Sequence, residues 1–174
     1  MGCARSSRSL GPVPALVPQT LDWITRAPVR ANGVSTSTAS PDAVFAVLAD
    51  HERWVEWFPS LKQVEVLGPA VGVGARRRVK IPMSWIEEEF IAWDPGVRWA
   101  FTATAASPRW TRSLVEDCRL TARPDGGTDI DYTMYLDPVG PMGWIMRRSI
   151  GRVSDTIQQA MQHLATRASA TNLA

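Results

Sequence analysis

S-P-D-A-V-F-A-V-L-A-D-H-E-R-W-V-E-W-F-P-S-L-K-Q-V-E-V-L, running from Ser40 to Leu67, reads as a helix, a tight break, a second short helix and a strand. Ser40 is a good N-cap, because its hydroxyl can take a free backbone N–H. Pro41 suits the first helical position, and Asp42 suits the positive end of the helix. Val44, Phe45, Val47 and Leu48 give the first helix one apolar face, and Trp54, Trp57 and Phe58 give the second a bulkier one. Pro59 stops the second helix. Strand-like segments follow, and one long amphipathic helix ends the chain. The fold class this predicts is α+β: a curved antiparallel sheet gripping a long C-terminal helix, with two short helices after the first strand. A sheet curled in this way encloses a cavity rather than a solid core.

The strands are read from alternation and turn residues. Val29–Thr38 is the first, and Leu61–Leu67 the second. The loop Gly68 to Gly74 is punctuated by Gly and Pro. From Ala75 to Ile81, the residues Ala75, Arg77, Val79 and Ile81 share one side, with Arg76, Arg78 and Lys80 on the other. Trp85–Trp93 forms the fourth strand and ends at Asp94-Pro95-Gly96. The fifth, Val97–Thr104, places Val97, Trp99, Phe101 and Ala103 on one face. Trp110–Thr121 ends at Pro124-Asp125-Gly126-Gly127, and Thr128–Leu136 completes the sheet. Short turns between consecutive strands give an antiparallel meander. Met146, Ile150, Val153, Ile157, Met161 and Leu164 then recur at helical spacing, which predicts one helix over about Met142–Arg167. Such a helix needs a long apolar surface, and the inward faces of the sheet supply it.

Composition narrows the function classes. The 174 residues suit one domain plus a tail, and 45% hydrophobic with 21% charged residues is ordinary for a globular protein. Nineteen basic against 17 acidic residues give a net charge of +2, too small to argue for nucleic acid or an anionic membrane. Arg76-Arg77-Arg78 lies in an alternating segment, so it is read as a solvated edge with one inward residue rather than a phosphate site. Two cysteines, Cys3 and Cys118, make no disulfide framework, which suits a reduced, cytoplasmic location. His51 and His163 lack companions at metal-ligand spacing or beside a nucleophile, so neither a metal site nor a hydrolase triad is expected. Residues 1–28, rich in Ser, Arg and Pro, are expected to be a disordered extension, 29–168 the domain, and 169–174 a tail. The opening Met-Gly-Cys-Ala-Arg-Ser matches a myristoylation pattern, with Cys3 as a possible palmitoyl site. An unmodified extension or a misplaced start fits the bacterial-looking composition better.

The candidate site lies on the inward lattice. On the sixth strand, Trp110, Arg112, Leu114, Glu116, Cys118 and Leu120 share a face, so two charges stand among hydrophobes. The phase of the fourth strand is open: Ile86 and Phe90 inward bring Glu88 with them, whereas Trp85 and Trp93 inward bring Glu87 and Glu89. A buried charge needs a partner or water. Arg112 with Glu116 or Glu88 is thus either a buried ion pair or the polar anchor of a ligand cavity, and Glu88 is the partner expected for Arg112. Eight tryptophans fill the core or line an aromatic pocket. The predicted cavity residues are Trp57, Phe58, Glu88, Trp99, Phe101, Trp110, Arg112, Glu116, Tyr132, Met134 and Ile150, with the Gly68–Gly74 loop and second short helix closing one end.

These features together resemble the START-like superfamily of helix-grip domains, and most of all its polyketide cyclase/dehydrase and lipid-transport branch. The resemblance rests on SPDAVFAVLAD followed by WVEWFP, on GVGARRRV, WDPGVRWAF, the DGGT hairpin, and DPVGPMGWIMRR leading into the last helix. It covers about Val29 to Arg167. It implies a deep cavity between sheet and helix for lipids, polyketides or other apolar molecules, and it transfers no catalytic residue set. Binding or transport of a hydrophobic small molecule is the leading expectation, with no cofactor, no nucleic-acid partner, no stable membrane insertion, and a monomeric or homodimeric state. A cyclase/aromatase/dehydratase-type enzyme is the alternative, with Glu116 or Tyr132 as the acid or base. A regulatory or toxin–antitoxin-linked interaction protein is a third.

Overall fold

The computed structural model describes residues 14–171. The lipidation pattern at Met1 to Ser6 and the last three residues of the expected tail lie outside them. Ser40 caps helix α1 (Pro41–Ala49), taking the Ala43 N–H on its Oγ at 3.4 Å, and Val44, Phe45, Val47 and Leu48 form the buried face. The second short helix, His51–Glu56, is a 3-10 turn, and Trp54 is its most buried aromatic residue.

The seven strands are β1 (Val29–Ser37), β2 (Gln63–Val66), β3 (Arg76–Ile81), β4 (Ser84–Asp94), β5 (Arg98–Ser107), β6 (Thr111–Ala122) and β7 (Thr128–Pro138). Their order is β1-β7-β6-β5-β4-β3-β2, every pair antiparallel. Strands β2 to β7 form the expected meander, and β1 joins its far edge. The two short helices therefore carry the chain from one edge of the sheet to the other, across the concave face.

The C-terminal helix is broken. Helix α2 (Gly140–Arg148) and helix α3 (Ile150–Thr171) meet at Ser149, whose N–H is shared between the Ile145 and Met146 carbonyls. Gly151 beside the break is a weak helix former. Gly143 fixes α2 against the sheet, since a Cβ there would lie 2.7 Å from the Pro138 carbonyl carbon. Helix α3 buries Ile157, Ala160, Met161, Leu164, Ala165 and Ala168. It comes so close to β1 that a Cβ on Gly33 would meet the Gln158 backbone at 2.6 Å. The Gln158 side chain then pairs with both polar backbone groups of Val34, at 3.0 and 2.7 Å, and so satisfies part of an exposed sheet edge. The helix runs past the expected boundary at residue 168, and the Ser169 Oγ bonds Ser37 and Thr38.

Residues 14–28 depart from the expected disordered extension. Strands β5 and β6 pair only from Arg98↔Arg119 to Thr102↔Val115, and beyond that the N-terminal segment fills the gap between them. Leu16 N–H bonds the Thr104 carbonyl and Val17 N–H the Arg112 carbonyl, both at 2.9 Å, while Ala106 N–H bonds the Pro14 carbonyl at 3.0 Å. Leu16, 6% exposed, joins the core. Its Pro-rich neighbourhood hides the strand, because the pairing is set by a gap elsewhere in the chain rather than by local alternation. No helix among the described residues is long and apolar enough to cross a membrane.

Candidate functional site

The register between β3 and β4 sets Arg77 opposite Glu88. The neighbours Arg76 and Arg78 point outward, where Arg78 pairs with Glu87 at 2.5 Å and Glu65 at 3.6 Å. Arg77 points inward, as the one inward arginine of the triplet. It is 1% exposed, and its Nε meets Glu88 Oε2 at 2.6 Å. Its guanidinium lies 4.2 Å from the ring centre of Trp54, 5.1 Å from Trp99, and 5.4 Å from both Phe90 and Phe101. Nη1 has no hydrogen-bond partner. The ring faces replace water around it, as cation–π contacts do once the cation is desolvated.

Glu116 on β6 sits close enough to feel both charges. Tyr132 on β7 donates its hydroxyl proton to Glu116 Oε2. Burial pushes the Glu116 carboxyl well above the usual carboxylate range, the Glu88 charge adds to that, and Arg77 opposes it only in part. Of the two glutamates, Glu116 is thus the one that holds its proton more firmly. Burial also raises Glu88, against the attraction and hydrogen bond of Arg77. His51 stacks on Phe90 with centroids 4.9 Å apart, and burial, then Arg77, lowers its pKa to about 3, so it is a neutral core imidazole. Burial raises the Cys118 thiol, which makes it no nucleophile at neutral pH. No group of three or more His, Cys, Asp or Glu side chains among the described residues is placed to hold a metal ion.

Arg77, Glu88 and Glu116 form the floor of a cavity of about 270 Å³. Its walls are Trp54, Phe58, Leu61, Val79, Ile81, Ile86, Phe101, Trp110, Leu114 and Met134, and its helical side is Met146, Ser149, Arg152, Val153, Thr156 and Ile157. Of the predicted residues, Phe58, Glu88, Phe101, Trp110, Glu116 and Met134 line it. Trp57, Trp99 and Tyr132 stand one layer behind. Trp57 packs on Trp54 at 4.5 Å and takes the His163 Nδ1 proton on its carbonyl, and Trp99 stacks on Trp54 at 4.9 Å. Ile150 packs against the core without reaching the cavity. The 3-10 turn contributes Trp54 to the wall, but the Gly68–Gly74 loop takes no part in it.

Arg112 is a correction. Its side chain is 57% exposed and pairs with Asp137 at 2.9 Å, not with Glu88. Between Thr111 and Leu114 the pairing with β7 shifts from Pro138 to Leu136, so β6 holds one extra residue there. That bulge reverses the alternation. Glu116, Cys118 and Leu120 lie past it and keep the expected inward phase. On β4, the inward set proves to be Ile86, Glu88 and Phe90. Arg77 is a cavity residue absent from the set that the alternation predicts. Its signal was present in its sharing a face with Val79 and Ile81, and counting register across the β3–β4 turn would have set it against Glu88.

Comparison with known proteins places this geometry. Uncharacterised proteins of Mycobacterium tuberculosis and Mycobacterium bovis are each 35% identical over 104 residues, which is 59% of this chain and 62% of theirs. A structure from Thermus thermophilus superposes with a TM-score of 0.69 at 17% identity, covering 82% of this chain and 99% of its own. A START superfamily protein from Mycobacterium smegmatis gives a TM-score of 0.67 at 10% identity, covering 82% and 98%. The family of polyketide cyclase / dehydrase and lipid transport proteins matches residues 28–169, and the chain, a curved sheet closed on its C-terminal helix, belongs to that family.

Proposed function

We propose that this protein binds and carries, in the cytoplasm, a small hydrophobic molecule with one polar end. The observation that supports this most is the cavity, whose walls are largely apolar or aromatic, with Arg77, Glu88 and Glu116 on the sheet and Ser149, Arg152 and Thr156 on the helical side. Its volume of about 270 Å³ lies just under the roughly 300–1,000 Å³ of small-molecule sites. That favours a compact amphiphile over a long acyl chain or a large fused-ring polyketide. At the floor, the Glu116 carboxyl, when protonated, can donate a hydrogen bond, and Arg77 offers Nη1, which has no partner in the protein. A carbonyl or enol oxygen suits that pairing. Native mass spectrometry of the purified protein, followed by solvent extraction, tests the reading. One co-purifying apolar species at about one per chain is expected, and a bare chain that also refuses every apolar probe would overturn it.

One observation favours a second reading, that of an acid catalyst of the cyclase or dehydratase type. Burial holds the Glu116 carboxyl well above the usual carboxylate range, and it faces the cavity, with Tyr132 fixing one of its oxygens. A carboxylic acid held neutral in an apolar site is a competent general acid. Under this reading, Glu116→Gln keeps ligand binding and abolishes turnover. Under the carrier reading, the ligand leaves the protein unchanged.

A further inference from the structure

The outside of the cavity mouth breaks the usual surface rule. Among the described residues, ten large hydrophobic side chains are exposed; six are valines, and the other four are Met83, Met142, Trp144 and Ile145. All four belong to segments that meet at one end of the cavity. Met83 sits in the two-residue turn joining β3 to β4, next to Ser84, and Ser84 Oγ takes the indole N–H of cavity residue Trp110 at 3.2 Å. On the other side of Trp110, a Cβ on Gly143 of α2 would lie 3.0 Å from the Trp110 carbonyl. Helix α2 thus sends Met146 into the cavity while leaving Met142, Trp144 and Ile145 outside. Trp144 is 59% exposed and Met83 83%. Met83 also has φ 67°, a left-handed conformation that disfavours any side chain. The two-residue turn accounts for that φ, since Pro82 sets its first central position and the second then takes a left-handed residue; it does not account for a long apolar side chain there.

Charge follows the same boundary. Residues 81–85, 107–112 and 137–156, which frame this end, contain five arginines (Arg109, Arg112, Arg147, Arg148 and Arg152) against two aspartates, Asp137 and Asp155. That is a local +3 in a chain of net +2. Arg112 and Asp137 neutralise each other, which leaves four arginines facing Asp155. Arg148 lies over the Trp144 ring at 4.6 Å, and Arg152 lines the cavity itself. Tryptophan and aliphatic residues beside arginines on one short helix suit the boundary between acyl chains and anionic headgroups. Long arginine side chains there can reach phosphates while their stems stay among apolar groups.

We propose that this rim, built from α2, the start of α3 and the Met83 turn, docks peripherally on an anionic phospholipid bilayer. The cavity mouth then opens against the membrane, so that an apolar ligand passes between bilayer and protein with little exposure to water. The proposal goes beyond the carrier reading, because it concerns a surface and a partner that the cavity alone does not require.

Sedimentation of the full chain with phosphatidylcholine vesicles, with and without phosphatidylglycerol, tests it. Binding should need the anionic lipid and fall with added salt. Trp144→Ala with Ile145→Ser should lower partitioning about tenfold or more, and Arg147→Gln with Arg148→Gln should lower it by a comparable factor, at about 1 kcal/mol per arginine near an anionic surface. Far-UV circular dichroism and apolar-probe binding in the cavity should be unchanged in both variants, since all four side chains are exposed. The proposal fails if the wild-type chain does not sediment with anionic vesicles at low salt, or if both variants sediment as well as it does. Concentration-dependent dimerisation abolished by Trp144→Ala, without vesicle binding, would assign the rim to a second copy of the chain and equally overturn the proposal.

Discussion

The floor and the rim of the cavity reverse each other. At the floor, an arginine and two glutamates are buried among tryptophans and phenylalanines. At the rim, a tryptophan, an isoleucine and two methionines stand in water beside arginines. The two departures have different costs. A buried charge is tolerated only when its partner is fixed by the fold, and adjacent strands fix Arg77 against Glu88 through register. An exposed apolar side chain costs the folded state little, because it is exposed in the unfolded chain as well. The floor is therefore bound up with folding stability, whereas the rim is free to be shaped for what it meets.

The largest expected effect lies at the floor. Arg77→Met strands Glu88 in an apolar site and should cost about 3–5 kcal/mol in urea unfolding. Adding Glu88→Leu should recover most of that loss, since a hydrophobic pair of similar volume often replaces a buried ion pair without penalty. A single variant within about 1 kcal/mol of wild type, the error expected of a surface change, would show that the floor is wetter than its geometry indicates. Next comes the N-terminal segment that fills the gap between β5 and β6. Leu16→Ala should cost about 2–3 kcal/mol, near the low end for a buried leucine, because the short segment carrying it can detach on its own. No measurable loss would return residues 14–19 to the status of a dispensable extension.

The contrast between these two expectations marks what the sequence discloses. The two short helices, the meander of β2 to β7 and the inward faces of β3, β5 and β7 follow from alternation, caps and turn residues, which are local, whereas alternation alone left the phase of β4 open. Arg112 was misplaced because a bulge adds one residue in a segment where nothing local announces it. Leu16 was missed because its strand is completed by a gap between β5 and β6 that exists only after folding. Trp57, Trp99 and Tyr132 were rightly read as inward, but facing inward does not separate a cavity wall from the layer behind it. The break at Ser149 lay inside an unbroken apolar period, with Ser149 and Gly151 as its only signal.

A smaller, pH-dependent effect distinguishes floor from rim by sign. Because the folded pKa of Glu116 is raised, the folded chain holds this proton more tightly than the unfolded chain does. Its contribution to stability is complete below the unfolded carboxyl value of about 4.3 and is lost as pH rises through the folded value. Between about pH 7 and about pH 8, above the unfolded His51 value of about 6.5 and below the unfolded Cys118 value of about 8.5, urea midpoints should therefore fall with pH in wild type, and less steeply in Glu116→Gln. The residual slope belongs to Glu88, which is shifted in the same direction. Identical slopes would mean that Glu116 ionises freely and that the cavity floor is hydrated. The smallest effect belongs to Arg112→Gln, which removes one exposed ion pair with Asp137 and should change stability by about 0.5 kcal/mol or less. A loss of several kcal/mol, about what a buried pair costs, would put Arg112 back inside the cavity.

The central claim is that the space between sheet and helix is a binding site. Fluorescence titration with an environment-sensitive apolar dye tests it most directly, comparing wild type with Val153→Trp. Val153 lines the cavity from α3 and is only partly buried, so an indole there can block the space without disturbing the fold. Saturable binding of about one dye per chain, lost in the variant while its far-UV circular dichroism and thermal midpoint are kept, is the result predicted. Equal binding by both proteins, or none by either, would contradict the account.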